Sequence, residues 1–161
     1  LDRAREALRA HGVQAALLTA GSTTVTLGTK PGGEPWHIGV EHPRRTGTVM
    51  AVAEWTGDAA LSTSGDYQQS FEVDGVRYHH ILDPATGRPA AGIQSLTVAG
   101  RISGLESDIL STALFVRGRD GALAYARERS VSVWLVDAAG AVRSHDGAAG
   151  TGVRIEAVET P

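Results

Sequence analysis

The chain has 161 residues with 42% apolar and 20% charged side chains, which fits one folded domain and excludes a disordered chain. No apolar run approaches the ~18 residues of a membrane span, and a net charge of −3 argues against nucleic acid as the main partner. With no cysteine, disulfides and thiolate metal sites are excluded, and the redox compartment stays unreadable.

In chain order, residues 2–11 predict a helix. Asp2 is the expected N-cap, Ala4, Ala7 and Leu8 form the apolar stripe, and Gly12 is the stop. Residues 14–19 predict a buried strand, 20–23 a turn and 24–28 a second strand. The Pro- and Gly-rich 30–35 is a loop, followed by strands over 36–41 and 47–55. Residues 67–82 predict a hairpin around Asp74-Gly75, the pair a type I′ turn favours, and 83–89 a rigid turn. A strand over 95–100 precedes helices over 106–118 and 120–129, the first with Ile109, Leu110, Ala113 and Leu114 as its apolar face. Strands over 131–137 and 151–158 close the chain, the first apolar enough to expect cover on both faces, like 14–19. This order predicts an α+β fold: a mostly antiparallel sheet with flanking helices, in a single domain over 1–161.

Three segments carry residue types suited to chemistry. His80 lies at the end of a hairpin arm, beside the stiff Asp83-Pro84 turn. A histidine there suits a general base, although Asp-Pro-x-Thr-Gly is also ordinary turn chemistry. Adjacent strand residues face opposite sides, so only one of His79 and His80 can point into a site. Asp108, Ser111 and Thr112 stand at i, i+3 and i+4, on one helix face. They form a hard-oxygen set suited to Mg²⁺, and Asp108 equally suits a first-turn partner of the helix dipole. Ser62 to Tyr67 and Thr19 to Thr23 are small, hydroxyl-rich stretches that let a backbone approach an anion, or that simply turn.

Taken together and in order, Thr63 to Tyr67, His80 to Gly87, and Asp108 with Thr112 resemble the ApbE-type FAD:protein FMN transferases. That family reads Thr-Ser-Gly-x-Tyr, then His-Ile-(Ile/Leu)-Asp-Pro-x-Thr-Gly, then Asp-x-x-x-Thr before an apolar helix. The opening helix and strand, and Trp36, fit as well, so the likeness spans nearly the whole chain. It implies a T-fold-related half-domain and Mg²⁺-dependent transfer of FMN from FAD to a Thr or Ser of an acceptor protein, releasing AMP. Under it, Asp108, Ser111 and Thr112 correspond to the metal site, His80 to the base near the phosphates, and Asp2, His80 and Ile81 to FAD contacts. The sequence departs from the pattern in two places. Gly21-Ser22-Thr23 replaces Gly-Gly-Asp or Gly-Gly-Asn, and Ala85 replaces a basic residue.

Family proteins are longer, and this chain corresponds to their C-terminal half. With Leu1 first and no signal-like segment, the expectation is a fragment, a processed chain or a split-gene product, with a companion chain supplying the N-terminal half. Only Lys30 among the 15 basic residues is lysine, an arginine bias pointing to a GC-rich bacterial genome. The periplasm or another extracytoplasmic location and the cytoplasm all remain open. Two other functions fit the same residues: an FAD pyrophosphatase, and a non-catalytic flavin- or partner-binding half-domain.

Overall fold

The computed structural model describes residues 1–147 and 152–158. Helix α1 covers Asp2–Ala10, and strands follow as β1 (Ala16–Ala20), β2 (Thr23–Leu27), β3 (Trp36–Glu41), β4 (Val49–Trp55) and β5 (Ala60–Gly65). The hairpin β6 (Ser70–Val73) and β7 (Val76–His79) turns at Asp74 (φ 50°) and Gly75 (φ 74°), the left-handed pair that a type I′ turn requires. Two short strands, β8 (Leu82–Asp83) and β9 (Arg88–Pro89), pair across the rigid turn, and β10 covers Ile93–Gly100. Helix α2 runs over Gly104–Glu128 and is interrupted at Gly118 (φ 77°, ψ 176°), so the two expected helices abut there. The chain ends with β11 (Val131–Asp137), β12 (Val142–His145) and β13 (Arg154–Ala157); Thr151 of the expected last strand lies outside the described residues.

The main sheet has six strands in the order β1-β2-β5-β10-β11-β12, every neighbouring pair antiparallel. A smaller sheet, β13-β4-β3, lies on one face, and α2 lies on the other. Strand alternation builds both cores. Leu96 and Val98 of β10, with Val131, Val133 and Leu135 of β11, meet Leu114, Phe115, Ala122 and Ala126 of α2. Ala99, Trp134 and Val136 point the other way and meet Val40, Ala51, Ala53 and Trp55 of the small sheet. β11 is thus covered on both faces, as its apolar run predicts.

Four expectations are corrected. β1 is not buried. It is an edge strand with Leu17 exposed, because it pairs only with β2. The stretch 62–65 is not a turn but most of a central strand, where pairing on both sides overrides a turn-forming composition. The buried stripe of α2 runs through Ser107, Ser111, Leu114 and Phe115, while Ile109 faces outward, 57% exposed. Asp2 does not cap its own helix; Leu1 holds that position without a side-chain bond, and α1 buries no residue.

Candidate functional site

Strand β5 crosses beneath the first turns of α2. Its period of two sends Leu61 into the core shared with the small sheet and presents Ser62 and Ser64 to the helix. Serine on the strand and Ser107 and Ser111 on the helix are small, so the helix settles close to the sheet. Gly104 extends this approach: a Cβ there would lie 2.7 Å from Val25 Cγ1.

The result is a connected set of oxygens. Asp108 Oδ1 accepts from Thr23 Oγ1 at 3.0 Å and from Ser62 Oγ at 3.2 Å. Thr23 and Ser62 lie 2.9 Å apart, and Ser64 Oγ stands 2.9 Å from both Ser111 Oγ and Thr112 Oγ1. Ser111 and Thr112 also donate to the Asp108 carbonyl, at 3.0 and 3.4 Å. Ser62 and Ser111 are fully buried, whereas Asp108 and Thr112 are open to solvent. The structure therefore brings the expected Asp108, Ser111 and Thr112 together. Thr23, Ser62 and Ser64 join them from strands distant in sequence. The departure from the family pattern at residue 23 thus places a hydroxyl directly on Asp108.

Next to this cluster is a cleft of about 410 Å³ lined by Leu1, Asp2, Ala20 to Thr23, Gly104, Leu105 and Asp108. Asp2 reaches it by capping the other helix. Its Oδ1 accepts from Gly104 N at 2.8 Å and its Oδ2 from Leu105 N at 2.9 Å. Arg5 bonds the same carboxylate at 3.2 Å. Partial burial alone would raise the Asp2 carboxyl, but the Gly104 and Leu105 N–H donors and the Arg5 charge outweigh it and hold the group below the usual carboxylate range. Ser103 completes the cap: its Oγ accepts from Glu106 N, and the Glu106 side chain accepts from Ser103 N. With these amides committed, α2 has no open N-terminal cradle for a phosphate.

The histidine pair divides sharply. His79 is buried. Its Nε2 donates to the Ala90 carbonyl at 3.0 Å, its Nδ1 accepts from Ile81 N at 3.3 Å, and its ring sits edge-on to Phe115. With Nδ1 accepting and Nε2 donating, both ring nitrogens are engaged. His80 is exposed, and no hydrogen bond engages its ring among the described residues. Ile81 is 4% exposed and packs into the α2 core. The His79–Phe115 contact puts the end of β7 one helical turn beyond Thr112.

Among the described residues, a metal would find hard oxygen donors here and no nitrogen or sulfur ligand. Among the described residues, no cluster of three His, Asp or Glu side chains could hold an ion alone. A lone carboxylate with hydroxyls fits Mg²⁺, which keeps several waters and takes its remaining ligands from substrate phosphates.

The sheet and helices define an α+β domain with an oxygen-lined cleft at the start of its long helix. The ApbE family model matches residues 1–140, and the chain belongs to that family. It is 37% identical over 136 residues to the FAD:protein FMN transferase of Treponema pallidum, covering 79% of this chain and 37% of that protein. For the enzyme of that name in Vibrio cholerae the figures are 35% over 149 residues, 91% and 42%. The crystal structure of an ApbE protein from Thermotoga maritima superposes with a TM-score of 0.80 at 38% identity, over 89% of this chain and 47% of that one. The Pseudomonas stutzeri flavinyl transferase ApbE gives 0.67 at 33%, over 98% and 45%. The chain thus spans less than half the length of these relatives.

Proposed function

We propose that this chain forms the metal and diphosphate site of an FAD:protein FMN transferase. The observation that carries the reading is the charge of the cleft. Asp2 and Asp108 line it, Arg5 balances only Asp2, no Lys or Arg side chain among the described residues lines it, and the helix amides beside it are capped. A diphosphate meets net repulsion there unless a divalent cation enters with it. Bound Mg²⁺ would neutralise the diphosphate oxygens and the charge that develops as the bridging bond breaks.

The chain's own residues have the following roles. Asp108 and Thr112 offer oxygens to the cation, and Ser111 with Ser64 holds Thr112 in place. The hydroxyl of an acceptor Thr or Ser attacks the phosphorus on the FMN side of FAD. The bond from that phosphorus to the bridging oxygen breaks, and AMP leaves with the bridging oxygen. His80, whose ring is open to solvent, takes the hydroxyl proton. His79 is unsuited to that step, because both of its nitrogens are engaged.

Complete activity requires polypeptide equivalent to the part of the relatives outside this chain. The exposed Leu105 and Ile109 on the outer face of α2, and the exposed Leu17 on the edge strand, support cover by a companion segment. The test is FMN transfer to an acceptor protein, followed as a flavin-fluorescent band and a mass increase. Asp108→Ala should abolish transfer. AMP and free FMN without acceptor labelling would instead establish a pyrophosphatase, and wild-type transfer by Asp108→Ala would refute the assignment.

A further inference from the structure

We propose that Thr23 and Ser62 form a hydroxyl clamp on Asp108 Oδ1 that keeps Oδ2 turned to the cleft for a divalent cation. This rests on the metal reading above and adds positioning residues to it.

The geometry of the carboxylate is one-sided. Thr23 Oγ1 and Ser62 Oγ both reach Oδ1, at 3.0 and 3.2 Å. Among the described residues no side chain hydrogen-bonds Oδ2, although Asp108 lines the 410 Å³ cleft. An ionised carboxylate only accepts, and each hydroxyl has one proton to give. Thr23 and Ser62 also lie 2.9 Å from each other, so if both donate to Oδ1, their mutual contact has no proton. The shorter contact to the carboxylate belongs to Thr23. With Thr23 donating to Oδ1, Ser62 can donate to Thr23 or to Oδ1, while the Ser111 proton goes to the Asp108 carbonyl. In each arrangement the Thr23 and Ser62 protons run toward Oδ1, and Oδ2 keeps its lone pairs free.

The clamp comes from rigid elements. Thr23 opens β2, Ser62 lies within β5, and the two are direct partners in the β2–β5 register. Asp108 stands on α2, which is fixed at its start by Asp2 and Ser103. An unrestrained surface aspartate on a helix explores several rotamers, and each ion bound must first freeze them. Hydroxyl donors on a sheet remove that freedom in advance, the service that outer partners of a metal ligand usually perform.

The test is Mn²⁺ binding, followed by the loss of the free-ion electron paramagnetic resonance signal, with metal-free thermal melts run in parallel. Thr23→Val keeps the shape and removes the donor, Thr23→Ser restores it, and Ser62→Ala removes the second donor. Thr23→Val should bind Mn²⁺ about 10- to 100-fold more weakly, the scale for losing an outer partner. Thr23→Ser should return to within a few-fold of the wild type. Ser62→Ala should weaken binding in the same direction. Equal affinity in Thr23→Val and wild type would overturn the clamp, as would failure of Thr23→Ser to recover. A loss of affinity matched by a lower metal-free melting temperature that Thr23→Ser does not repair would also overturn it, because packing would then be the cause. If wild type binds Mn²⁺ and Asp108→Ala does not, while Thr23→Val is unaffected, only the clamp falls. If the wild type binds none, with FAD present as well as without it, the metal reading itself falls.

Discussion

Asp2→Ala isolates a contact that ties the first helix to the start of the second. The wild-type carboxylate accepts from Gly104 N and Leu105 N, 102 and 103 residues away, and pairs with Arg5. Losing a side-chain cap costs typically ~1 kcal/mol, and losing an anion at a helix N-terminus a further ~0.3–1 kcal/mol. The Arg5–Asp2 pair is partly exposed and adds little. The sum, about 1.3–2 kcal/mol, corresponds to a melting temperature lower by roughly 3–8 °C in a chain of this size. The sign of the pH dependence follows from the direction of the shift. The folded Asp2 carboxyl lies below its unfolded value, so the stabilisation is complete above the unfolded pKa of ~3.9 and is lost as pH falls through the folded value. Thermal melts of wild type and Asp2→Ala should therefore differ by a constant amount from pH 5 to 7 and converge below about pH 4. Equal stability at pH 7, or a gap that persists undiminished at pH 3, would refute the capping role.

The histidines should separate stability from activity. His79→Ala removes two buried hydrogen bonds and the edge contact with Phe115, and should cost about 2–4 kcal/mol in denaturant unfolding. His80→Ala should leave unfolding unchanged and lower FMN transfer by about 10²–10⁴, the range for losing a general base. Ile81→Ala should destabilise by about 2–5 kcal/mol as a core truncation. A weakened affinity for FAD at wild-type stability would instead make Ile81 a ligand contact.

How far the sequence discloses the molecule depends on whether the deciding interaction is local. The hairpin at Asp74-Gly75 is legible to the residue, because a left-handed pair between β-rich arms has few alternatives. Strand β3 and the break at Gly118 are legible for similar reasons. Strand β5 is hidden, since Ser, Thr and Gly are turn formers and only its two neighbours make it a strand. Its alternation of Leu61 and Thr63 with Ser62 and Ser64 is the signal that could have exposed it. Ile109 misleads because apolar spacing suggests an inward face, whereas the buried face of α2 at this point carries Ser107 and Ser111. In the site, Asp108, Ser111 and Thr112 share a helix turn and can be grouped by spacing alone. Thr23 meets Asp108 across 85 residues and Ser62 meets it across 46, distances over which no local pattern operates. Asp2 is legible as a helix-start residue, but the helix that it caps is the distant one.

The proposed site holds a divalent cation at Asp108 and Thr112, beside the diphosphate of FAD. Anomalous diffraction from crystals of the protein grown with FAD and Mn²⁺ tests it directly. The expected peak lies within bonding distance of Asp108 Oδ2 and Thr112 Oγ1, at the edge of the cleft lined by Asp2 and Thr23. Ordered FAD with its diphosphate at this cleft and no Mn²⁺ peak at Asp108, or a peak ligated by other residues, would contradict it.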